Sequence, residues 1–206
     1  MTLLQFVSVA PPYDRPAVGM RATRLLGLAE AMGLLPDSTP IARLDRDTIL
    51  GPVRHLQRKG IGRNAAMEFE RTDDPERMVT LLDRIYDELL ASPTPDTEAD
   101  ALGEMLGHEF VARLAGISMS SMRRYVTGER ATPDAVAARI HHLAVIVSHL
   151  AAGYNEFGIR RWFDRPRPQL GGRAPSRILH GDWDPDGDAP QQVLRLAEAL
   201  NSSPGT

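Results

Sequence analysis

Apolar positions along the chain recur mostly at the three- and four-residue spacing of an amphipathic helix, and prolines and glycines mark where each run stops. Leu25, Leu28, Ala29 and Met32 fall on one face of a predicted helix over 18–34. Asp45 or Asp47 can cap a second helix that ends at Gly60, a residue type suited to the left-handed C-terminal position. The clearest early element follows Asp74. Pro75 opens it, Glu76 lies near the positive helix end, and Met78, Leu82, Ile85, Tyr86 and Leu89 repeat at helical spacing towards Ser92. Ahead of these, Pro11, Pro12 and Pro16 predict a tail or edge segment, because proline donates no backbone hydrogen bond and restricts its predecessor. Ser92-Pro-Thr-Pro-Asp96 has the composition of a linker, and a further helix is predicted over 97–105.

The run Glu109 to Pro133 has the pattern of a helix-turn-helix. Phe110, Val111, Leu114 and Ala115 can pack the first helix inward, Gly116 permits a sharp turn, and Ile117 enters the core. Ser118 is a good N-cap for a second helix that buries Met122 and Tyr125 or Val126 while Met119, Ser120, Ser121, Arg123 and Arg124 face outward. Short hydroxyls at a helix N-terminus can approach phosphates or bases, and arginines can contact phosphates or guanine edges. Ser120, Ser121, Arg123 and Arg124 are therefore the candidate DNA contacts, with Arg130, just past the helix, assigned to backbone phosphate. An ordinary helical hairpin with a solvated arginine face fits the same spacing. Thr132-Pro133-Asp134 opens the next predicted helix with a cap and a proline at its first position, and this helix continues through Ala151.

Composition narrows the class. Aromatic residues make up 5% of the chain against 42% for all hydrophobic residues, which disfavours a β-sandwich and supports a mostly helical fold. The formal charge of −3 gives no general attraction to polyanions, so any nucleic-acid surface must be local. Cysteine is absent, which excludes disulfides, thiolate-bound metals and thiol catalysis. Met1 to Ala10 is a poor signal peptide, and the apolar run Leu143 to Ala152 is about half of the ~20 residues that a membrane span needs. A soluble, cytoplasmic protein is expected.

No catalytic constellation, phosphate-binding loop or metal-ligand spacing stands out, so neither an enzyme nor a cofactor is expected. His141, His142 and His149 lack an acidic or cysteine partner in their own segment and are expected to be partly exposed or hydrogen-bonded. Asp182-Trp-Asp-Pro-Asp-Gly187 imitates a calcium loop, but Val193 replaces the bidentate glutamate, so an acidic turn is expected, with Asp188 capping a helix that starts near Pro190.

Further motifs follow the helical run: Arg161-Trp162-Phe163, Pro168-Gln-Leu-Gly-Gly-Arg-Ala-Pro175, Ile178-Leu179 and a terminal helix over Gln191 to Leu200. Together with the helix-turn-helix, residues 97 to 201 resemble the Xre/MbcA/ParS class of antitoxins. The resemblance leaves residues 1–95 open; periodicity predicts a helical N-terminal region there, with dimerisation as a candidate role, in an all-α chain. The resemblance itself implies an Xre-like helix-turn-helix over 96–152 and a small helical toxin-binding domain over 153–206. It further implies an antitoxin that covers the active site of a RES-domain, NAD-consuming toxin without binding NAD itself, and that represses its own promoter on operator double-stranded DNA; a homodimer is expected because one helix-turn-helix reads too short a site for high specificity. A stand-alone or phage-derived regulator is the alternative. Arg173, Trp183, Gln191 and Arg195 are the candidate toxin contacts. Trp162 is expected in the small core, and Trp183, placed in an Asp/Pro/Gly-rich turn, is expected as an exposed interface anchor.

Overall fold

The computed structural model describes residues 4–35 and 40–202, so residues 1–3 of the expected N-terminal tail or edge segment lie outside the described residues. The chain forms two compact units. One is built from Thr2–Glu30 and Leu34–Ser92, the other from Pro93–Thr206 with Ala31–Gly33.

The first unit is not wholly helical. Strand β1 (Leu4–Val9) and strand β2 (Ile41–Leu44) pair in parallel, and helix α1 (Pro16–Ala31) is the crossover between them. The stretch expected as a tail or edge segment thus forms an extended segment, LQFVSV, whose apolar and β-branched residues suit a strand. Helix α2 (Arg46–Lys59) starts with a capping box: the Asp45 side chain accepts from the Thr48 backbone, and Thr48 returns a contact to the Asp45 backbone. It ends at Gly60, where Gly60 N–H donates to Gln57 and Ile61 N–H to Leu56, each at 3.0 Å. Helix α3 (Arg63–Phe69) follows, and then helix α4 (Pro75–Leu90), capped by Asp74 and burying Met78, Leu82, Ile85, Tyr86 and Leu89 as its spacing predicts. The Arg46 guanidinium donates to the carbonyls of Glu70 and Thr72, each at 3.0 Å, and so satisfies the backbone that joins α3 to α4.

The second unit contains helices α5 (Pro95–Leu106), α6 (His108–Ala115), α7 (Met119–Val126), α8 (Asp134–Ala151), α9 (Glu156–Asp164), α10 (Pro175–Ile178) and α11 (Asp188–Ser202). Helix α5 packs against α6, α7, α8 and α9, and α11 lies along α8. Helix α8 is the spine, with every residue from Arg139 to Val147 buried, as a helix apolar on nearly all sides requires. Its start differs from the sequence expectation. Pro133 is itself the N-cap and no side chain closes the end, so Thr132 plays no capping part. Trp162 is 2% exposed and packs edge-on against Phe163, which meets Phe110 in the same way. Its place in the core is as expected. Helix α11 begins at Asp188, two residues before the expected start. Among the described residues, no single helix is long and apolar enough to cross a membrane.

The turn between α6 and α7 depends on Gly116. Its φ is 71°, and a Cβ there would lie 1.9 Å from the carbonyl oxygen of Gly181. Gly128 has a similar φ of 70° but open space around it. Gly128→Ala should therefore cost only the left-handed backbone term of about 1–2 kcal/mol. Gly116→Ala should add an overpacking term of roughly 1–3 kcal/mol. Chemical denaturation of the two variants checks this; equal losses would mean that Gly181 does not press on the turn.

Candidate functional site

Helix α6 ends in a Schellman arrangement. Gly116 N–H reaches the Arg113 carbonyl at 3.3 Å and Ile117 N–H reaches that of Ala112 at 3.0 Å. Ser118 then opens α7 in extended geometry, and its hydroxyl oxygen accepts from the Ser121 backbone N–H at 3.1 Å. Met122 and Tyr125 turn inward, 0% and 4% exposed, which leaves Ser120, Arg123 and Arg124 facing solvent and Ser121 half-buried. The Arg124 guanidinium folds back along the helix, donating to the Ser120 hydroxyl at 3.0 Å and to the Ser120 carbonyl at 3.3 Å. Ser120 and Arg124 are thus one hydrogen-bonded group, whereas Arg123 is exposed one position earlier. Arg130 is also exposed, and its backbone N–H bonds the Arg124 carbonyl at 3.2 Å, so the loop after α7 folds back onto the helix end.

No acid lies in the first turn of α7. The uncapped N–H groups there and the two arginines of its last turn make this short helix a surface favourable to anions.

The C-terminal candidates fare differently. Trp183 is only 9% exposed, and its indole N–H donates to the Leu114 carbonyl at 2.7 Å. The expectation of an exposed anchor is corrected: the turn is rich in Asp, Pro and Gly, yet the indole is drawn inward because it caps a carbonyl at the end of α6 that has no helical partner. Gln191 is also engaged internally, its amide donating to the Pro185 carbonyl at 2.9 Å. Arg173 is exposed and turned back on the Leu170 carbonyl at 3.4 Å, while Arg195 is exposed on α11. Of these four residues, Arg173 and Arg195 remain as exposed cations.

Three contacts made by buried polar side chains were not legible as pairs in the sequence. Arg139, 4% exposed, donates through Nη1 to the Gly181 carbonyl at 3.1 Å and to Asp182 at 2.5 Å, fixing the loop that carries Trp183. This also gives the first acid of the calcium-like run a structural partner. Glu98, 0% exposed, meets His141 Nδ1 at 2.6 Å and ties α5 to α8. His142 Nε2–H donates to the Pro190 carbonyl at 3.3 Å, and its ring meets Trp183 edge-on with centroids 5.4 Å apart. All three histidines are buried: His141 finds an acid on α5, His142 a carbonyl, and His149 lies 3.8 Å from Glu198 of α11. Among the described residues, no group of three or more His, Cys, Asp or Glu side chains could hold a metal ion. An arginine and two adjacent histidines inside an apolar helical run were the available signal; their partners lie more than forty residues away.

Comparison of the chain with protein-family models, curated proteins and solved structures gives no match.

Two tests follow from the capped turn and its histidine. Trp183→Phe keeps an aromatic ring but strands the Leu114 carbonyl, so it should cost about 1–3 kcal/mol. Trp183→Ala should cost about 3–5 kcal/mol through the cavity it leaves. Denaturant titration checks both, and a phenylalanine variant as stable as the parent would contradict the cap.

Burial, assisted by the charge of His141, holds the His142 pKa below its ordinary value, against the opposing pull of the Pro190 carbonyl and Asp186. The unfolded chain therefore binds this proton more readily. The stabilising effect of a neutral His142 is complete above about pH 6.5 and is lost as the pH falls through that value towards the folded pKa. A urea midpoint measured from pH 7.5 to 5 should fall, and His142→Gln should flatten the fall; an unchanged slope in the variant would assign the effect elsewhere.

Proposed function

We propose that the chain is a DNA-binding antitoxin. In this reading α6, the Gly116 turn and α7 form a helix-turn-helix that docks in the major groove of its own operator. The C-terminal part of the second unit neutralises a RES-domain, NAD-consuming toxin, and the working form is a homodimer, which lets two recognition helices read half-sites about one DNA turn apart. The observation that carries the DNA half is the sorting of α7: Met122 and Tyr125 are buried while Ser120, Arg123 and Arg124 are exposed on a helix capped by Ser118. The toxin half is supported by the resemblance of residues 97 to 201 to Xre/MbcA/ParS antitoxins.

The internal engagement of Trp183 and Gln191 favours a second reading, a stand-alone regulator, because it removes two of the four residues first assigned to a toxin. Copurification with a RES-domain toxin separates the two readings.

Within the helix-turn-helix reading, the two arginines of α7 are not equivalent. Arg123→Ala should weaken binding to the chain's own promoter fragment for all sequences alike and lower the salt slope by about one. Ser120→Ala should change sequence preference with little change of slope, because it removes a hydroxyl and releases Arg124. Fluorescence anisotropy over a salt series measures both. Promoter affinity unchanged in the Arg123→Ala Arg124→Ala double variant would refute the assignment of α7.

A further inference from the structure

Helix α9 has two faces of opposite character. Ile159, Trp162 and Phe163 are buried, and the opposite side presents Phe157, Arg160, Arg161 and Asp164. Phe157 is 71% exposed, the largest exposure of any aromatic side chain among the described residues. Tyr154, 37% exposed, lies over the first turn: a Cβ on Gly158 would come within 3.0 Å of its ring, so the glycine makes room for a second aromatic beside Phe157. Arg161 is one turn after Phe157 on the same face of the helix. Glu156 stands beside Phe157 in the first turn, and from residue 160 onward the chain turns basic. Residues 160 to 177 hold six arginines and a single acid, Asp164, in a chain whose net charge is −3.

We infer that this face of α9, centred on Phe157 with Tyr154 beside it and Arg161 at its rim, is the docking surface for an acidic protein that receives Phe157 in an apolar pocket. The inference rests on the protein-partner half of the antitoxin reading and assigns that partner to residues outside the earlier candidate set. Aromatic and arginine side chains are the types enriched at the energetic centres of protein interfaces. A phosphate backbone would satisfy the arginines but leave the two rings without a partner, and α7 already concentrates exposed hydroxyls and arginines without an exposed aromatic. A second copy of the same face would bring like charges together.

Full-length chain is co-produced with each RES-domain enzyme encoded by the source genome. Growth, copurification and affinity are then read for the parent, Phe157→Ser and Arg161→Glu, alongside thermal midpoints, promoter binding and sedimentation. The expected result is that the parent neutralises one of these enzymes and that each variant loses about thirtyfold or more in affinity. Thermal midpoints and promoter binding stay unchanged, since both side chains lie in solvent. If the parent neutralises a toxin and both variants do so equally well, this surface is wrong while the antitoxin reading stands. If the parent neutralises none, the antitoxin reading fails and takes this inference with it. Weakened promoter binding with full neutralisation would make α9 a nucleic-acid surface, and a dimer that dissociates in Phe157→Ser with full neutralisation would make it a self-interface; either overturns the proposal.

Discussion

The hydrogen bond from the Trp183 indole to the Leu114 carbonyl is the constraint on which the candidate site depends. A helix leaves its last carbonyls without partners, and one buried in that condition is costly. At the end of α6 the chain itself satisfies Ala112 and Arg113, but Leu114 is answered only by a side chain 69 residues later. The same loop brings the Gly181 carbonyl so close to Gly116 that no side chain fits between them, and the buried Arg139 guanidinium holds that carbonyl and Asp182 in place. The turn that sets the direction of α7 is therefore shaped partly from α6 and partly from a loop just ahead of α11.

Residues 96–152 and 153–206 share one compact unit, and the polar contacts around Trp183 draw on both. A partner that pulled on the loop at 179–187 would act on the turn before α7 through Gly181 and Trp183. Arg123 and Arg124 are exposed on α7 and Arg160 and Arg161 on α9, and an exposed aromatic accompanies only the second pair.

What was legible in the sequence is what local chemistry decides. Asp74 before Pro75, Gly60 after a periodic run, and Ser118 following Gly116 each define a helix end within a few residues, and all four ends lie where that chemistry puts them. The inward set of α7 followed from its spacing. The parallel pairing of β1 with β2 did not, because a strand six residues long and another of four declare themselves only through each other, across the whole of α1. Trp183 was misread for a related reason. Its neighbours are turn residues, which suggest exposure, while the acceptor that draws it inward is remote in sequence. Glu98 and His141, 43 positions apart, illustrate the same limit.

The most direct measurement is the hydrogen exchange of the assigned Trp183 indole N–H, followed by NMR in the native protein. An indole that donates to a buried helix-terminal carbonyl should exchange only when the α6–α7 turn opens, with protection matching the backbone amides of Gly116 and Ile117. Exchange of that proton at the rate of an exposed indole, with those amides still protected, would contradict the account and leave the turn held by its own backbone alone.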